Sequence, residues 1–141
     1  MLRNKKLKLL IILFFSLLLV HCTNNSEKRL HKELVKRAAE LNQSTPVVLD
    51  QYTRFDSVGV TKENVFQYFY TITYTDNPRA LITTKKEEMM QAMDKMYATD
   101  RALQFFVTNS VVMEYIYRDQ EQNVVDIITI ESEKYRTKTQ Q

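Results

Sequence analysis

Residues 64–75, Asn64-Val65-Phe66-Gln67-Tyr68-Phe69-Tyr70-Thr71-Ile72-Thr73-Tyr74-Thr75, read with period two. The even positions 66–74 are Phe, Tyr, Tyr, Ile and Tyr; the odd ones hold Val65, Gln67, Phe69 and three threonines. Alternation with aromatic and β-branched enrichment predicts a half-buried β-strand. Upstream, Gln51 to Val60 is a second extended candidate, with Gly59 marking its end, and Val47-Val48-Leu49 a shorter one. Before them, Leu30, Leu34, Ala38 and Leu41 recur at helical spacing and predict a helix from Glu27 to Asn42, which Pro46 prevents from continuing. Downstream, Asp76-Asn77-Pro78 has turn chemistry. Thr84-Lys85-Lys86-Glu87 fits a capping box and opens a helix bearing Met89, Met93 and Met96, with Tyr97 alongside. Thr99-Asp100 reads as a fresh cap for a short helix with Leu103 and Phe106. Two strands, Val111–Arg118 and Asn123–Glu131, follow around the polar turn Asp119 to Gln122.

The resulting order is α-β-β-β-α-α-β-β. It predicts an α+β two-layer sandwich, an antiparallel sheet with helices on one face. The domain is placed at 28–132, followed by a polar C-terminal tail over 133–141 that holds no Leu, Ile or Val and is predicted to fray. Phe66, Tyr68, Tyr70, Ile72 and Tyr74 are assigned to the helix-covered face, with Val111, Met113, Tyr115 and Tyr117. Phe69, Val112, Glu114, Ile116 and Arg118 then face outward. Phe69, Val112 and Ile116, with one of the pairs Val125/Ile127 or Val124/Ile128, form a candidate interaction surface for a protein partner or a second copy.

The first residues differ from the rest. Arg3, Lys5, Lys6 and Lys8 precede twelve residues, Leu9 to Val20, that are apolar except for Ser16. As a helix that run spans about 18 Å, short of the ~30 Å hydrocarbon core, so it reads as a targeting segment rather than a membrane span. No Ala precedes Ala38, which leaves no A-x-A cleavage pattern. Removing the four leader cations from 20 leaves 16 Lys+Arg against 17 Asp+Glu. A body so close to neutral lacks the basic surface that nucleic-acid binding requires.

Leu19-Val20-His21-Cys22 resembles a bacterial lipobox, with His21 where that motif has a small residue. The resemblance implies a lipoprotein signal peptide over 1–21, a tether over 22–27, diacylglycerol and palmitate-like acylation at Cys22, and a lipid-anchored place in the bacterial cell envelope. The body, through Phe66-Gln67-Tyr68-Phe69-Tyr70-Thr71 and Tyr115-Ile116-Tyr117-Arg118-Asp119, is similar to a group of small uncharacterised bacterial envelope proteins over most of residues 30–132. That likeness brings no catalytic residues with it.

The inventory offers little for catalysis. One Cys excludes an internal disulfide and a Cys-based metal site, and one Gly excludes a glycine-rich phosphate loop. With His21 removed, His31 is the last histidine, at the border of the apolar helix stripe, where it reads as a half-buried packing residue. No catalytic residue, metal or cofactor is expected. The expectation is a non-enzymatic protein-interaction module held at a membrane through Cys22. The alternative is a small apolar-ligand carrier with a cleft between the Met-rich helix and the Tyr-rich strand. Lys28, Arg29, Lys32 and Lys36, close behind the tether, are candidate contacts for anionic headgroups.

Overall fold

The computed structural model describes residues 25–138. Along the chain come α1 (residues 25–42), β1 (Val47–Val48), β2 (Thr53–Val60), β3 (Phe66–Ile72), α2 (Pro78–Thr99), a 3₁₀ turn (Arg101–Leu103), α3 (Gln104–Thr108), β4 (Val112–Arg118), β5 (Val124–Glu131) and a closing 3₁₀ helix (Ser132–Lys138). This is the expected α+β class and element order. The leader 1–21 and Cys22 lie outside the described residues, while residues 25–27, assigned to the tether, are already helical.

The five strands lie in sequence order. The pairs β1/β2, β2/β3 and β4/β5 are antiparallel. The β3/β4 pair is parallel, with Phe66 opposite Met113 and Tyr70 opposite Tyr117, so the sheet is mixed and the antiparallel expectation is corrected at this pair. The cause is the connection. The 22-residue α2, the 3₁₀ turn and α3 carry the chain back to the end where β3 began, and strands joined by such a crossover run the same way.

One apolar core joins α1 (Leu34, Ala38), α2 (Ile82, Met93, Tyr97) and α3 (Phe106, Val107) to Phe66, Ile72, Met113, Tyr115, Tyr117, Ile128 and Ile130 of the sheet. The inward assignment from alternation therefore holds for β3 and β4. It fails at Tyr74, which lies past the end of β3 at φ 52° and is 82% exposed.

Two element boundaries differ from expectation. Asn77, not Thr84, caps α2: its side chain accepts from the Ala80 N–H at 3.0 Å, with Pro78 in the first turn. Asn followed by Pro satisfies an orphan donor and pre-sets φ, so the helix starts seven residues before the predicted box. Thr84 is interior, its hydroxyl donating to the Ala80 carbonyl. The expected cap at Asp100 is present, accepting from the Ala102 N–H at 2.8 Å. The tail expected over 133–141 is docked where it is described. Tyr135 is 2% exposed, stacks on Tyr97 at 5.3 Å and bonds to Asp94. Ser132, also buried, sets its hydroxyl between the Phe106 and Val111 carbonyls. One aromatic anchors this segment, with no Leu, Ile or Val to mark it in the sequence.

At the β2 edge, the Asn42 amide donates to the Val58 carbonyl (2.9 Å) while its oxygen accepts from the Val58 N–H (2.7 Å). At the opposite edge, the Ile127 N–H donates to the Asp126 carboxylate at 2.9 Å.

Candidate functional site

Parallel pairing sets side chains of equal register directly beside one another, and in β3 and β4 those side chains are tyrosines. Tyr68 stacks on Tyr115 (5.1 Å, 8°) and Tyr70 on Tyr117 (5.1 Å, 18°), forming a nearly continuous floor of rings. The Tyr97 hydroxyl reaches down from α2 to the Tyr115 hydroxyl at 2.9 Å. Toward the ends of β3 and β4 the helix stands off this floor and leaves a half-open cleft of about 380 Å³. Its floor is Tyr70, Ile72, Tyr115 and Tyr117; one wall is Leu81, Ile82, Met89, Met93 and Met96 of α2; the other is the β1–β2 turn with Leu49, Asp50 and Tyr52. Lys85, Glu88 and Asp50 are its charged lining residues.

Burial sets the electrostatics. It pushes the Tyr68 phenol up to about 12 and those of Tyr70, Tyr97, Tyr115 and Tyr117 upward too. For Tyr115 the neighbouring Tyr97 adds to the effect, and for Tyr117 Asp126 does. All five stay neutral near pH 7, so the floor offers neither a charge nor a general base. The cleft can take up apolar surface against polarizable Met and Tyr.

The sequence-derived pairing of Met helix and Tyr strand is thus present as a cleft. Its second wall, the β1–β2 turn, is absent from the sequence-derived pairing, because a turn carries no periodicity to mark it. The candidate outer surface is smaller than expected. Ile116 does point away from the helices, but it is only 6% exposed. Phe69 and Ile127 sit beside it in register, and Phe69 is itself roofed by the Arg118 guanidinium at 4.4 Å. Gln67 bridges to Glu114 on the same face. Phe69 and Val112 are half-buried, and Ile127 is 44% exposed. Of the alternatives, Val124 and Ile127 are exposed, while Val125 and Ile128 join the core.

Lys28, Arg29, Lys32 and Lys36 are all exposed on α1. Lys28 borders a shallow depression with Lys62, and Arg29 and Lys32 border another with Phe105 and Asn109. Lys36 lies 4.0 Å from Glu40. His31 is half-buried, its Nδ1 donating to Asn64 Oδ1 at 2.8 Å.

The family model described as "Domain of unknown function (DUF8479)" matches residues 29–139. The chain belongs to the DUF8479 family. No curated protein matches it in sequence. Among solved structures, this DUF8479 chain is similar to a Pseudomonas aeruginosa protein described as secreted, with TM-score 0.65 and 11% identity over 74% of this chain and 91% of that one. It is also similar to the pilotin EpsS of the Vibrio vulnificus type 2 secretion system, with TM-score 0.63 and 13% identity over 79% and 96%. The pilotin AspS of the Vibrio cholerae type II secretion system gives TM-score 0.58 and 9% identity over 79% and 96%. At these identities the likeness is one of fold: the body has the fold of small bacterial secreted and secretion-system proteins. Among the described residues, no helix is long and apolar enough to cross a membrane.

Proposed function

We propose that this DUF8479 protein is a non-enzymatic interaction module of the bacterial envelope, anchored by acylated Cys22, whose cleft takes up an apolar segment of a protein partner. The observation that carries this reading is the cleft itself, open on one side, walled by methionines and floored by neutral tyrosines. An open site of this kind suits a segment belonging to a larger molecule, whereas a carried small molecule is usually mostly enclosed. Two fold neighbours bear the name pilotin of a type II secretion system, and by analogy we assign this chain a part in an envelope assembly.

The alternative, a small apolar-ligand carrier, draws on the cleft volume of about 380 Å³, which falls within the usual range for ligand sites. One experiment separates the two. A photo-crosslinker at Met96, on the cleft wall, is activated in native membranes, alone and with Met89→Lys. The interaction reading expects one discrete protein adduct that Met89→Lys abolishes. An adduct indifferent to Met89→Lys overturns it. A small apolar compound that co-purifies, seen by native mass spectrometry and lost with Met89→Lys, moves the assignment to the carrier.

A further inference from the structure

The start of α1 and the cleft occupy opposite ends of the molecule. His31 bonds to Asn64 in the β2–β3 turn, beside the point where β3 begins. The six residue steps from 25 to 31, about 9 Å of helix, lead on from that contact. Glu27 and Leu30 border the same end with Asn109 and Ser110, just ahead of β4. The cleft lies at the other end, where β3 and β4 finish and β2 starts. From Phe66 to Ile72 the strand runs about 20 Å. Cys22 stands three residues before the first described helical residue, a reach of about 11 Å at most.

From this placement we infer that the α1-start end rests on an anionic lipid surface through Lys28, Arg29, Lys32 and Lys62, which turns the cleft toward the aqueous compartment. The inference rests on the anchoring at Cys22 and adds which end of the fold meets lipid. Two elements supply the cations: Lys28 and Lys62, from α1 and the β2–β3 turn, border one depression. Lys36 drops out of the set proposed from sequence, because it sits about 12 Å further along α1 than Lys28 and faces Glu40. Glu27, Glu33 and Glu63 share this end, so the contact sets orientation more than affinity. With the cleft on the far side, its occupant comes from the aqueous phase and not from the acyl chains of the anchoring membrane.

The test uses the chain as extracted from its native membrane, reconstituted into vesicles either zwitterionic or containing phosphatidylglycerol. A fluorophore is placed on Glu63→Cys at the proposed lipid end or on Glu88→Cys beside the cleft, and quenched by a nitroxide on the lipid headgroup. Quenching at 63 is expected to exceed that at 88 several-fold on anionic vesicles. The triple variant Lys28→Glu, Arg29→Glu, Lys32→Glu should remove the increment due to lipid charge while leaving the Met96 crosslink in place. Equal quenching at the two positions, or a profile unmoved by charge reversal, overturns the inference. Flotation separates it from the anchoring reading. A chain that floats only with anionic vesicles, and is quenched at 63, supports the lipid-facing end while refuting the anchor. A chain that floats with neither refutes both.

Discussion

At the scale of single residues, the tyrosines carry the most readable physics. Unfolded, their phenols ionise near the ordinary value of 10; in the fold, burial holds Tyr68 at about 12. As pH climbs past 10, the unfolded chain releases protons first. The stability contributed by neutral burial is therefore complete below pH 10 and is lost as pH rises toward 12. The urea midpoint should fall steeply across that window, and the share of phenolate absorbance at 295 nm that comes from the buried rings should rise together with loss of circular dichroism. Absorbance that rises fully while the fold persists would mean that the rings are open to solvent. Arg37 shows another residue-level compromise. Among the described residues its buried Nε finds no hydrogen-bond partner, yet its guanidinium lies 3.9 Å over the Phe105 ring, an attraction that offsets part of the desolvation cost.

Among the elements, α2 gives a sharp contrast between two caps. Asn77→Ala should cost about 1 kcal/mol, whereas Thr84→Ala should change stability by less than about 0.5 kcal/mol; urea titration reads both. If Thr84→Ala costs more than Asn77→Ala, the helix begins where the capping-box pattern placed it. The episode shows what the sequence could convey. Period-two alternation around Phe66–Ile72 revealed a strand and its inner face, because side-chain direction in a strand depends only on parity. It could not reveal that β4 lies parallel beside it, since parity carries no information about direction. The Met stripe and Tyr strand were both legible, and so was their facing one another. The Leu49–Tyr52 wall was not, because a turn has no periodicity to read. Nor was the burial of Ile116, which depends on Phe69 and Ile127 beside it and on the arm of Arg118 over Phe69, three contacts made across strands.

For the molecule as a whole, the closing segment matters more than its composition suggests. Tyr135 completes a ring stack under α2, so Tyr135→Ala should cost about 3–5 kcal/mol, a large share of the ~5–15 kcal/mol that holds an ordinary domain. A single cooperative transition at a much lower denaturant midpoint is the expected result; an unchanged midpoint would show the tail to be dispensable. The two sheet edges have a different consequence. Exposed strand edges are templates for polymerisation. Asn42 presents Val58 with a counterfeit peptide group, one donor and one acceptor, and Asp126 occupies the N–H of Ile127. An arriving strand finds those sockets filled, so copies can collide without knitting together.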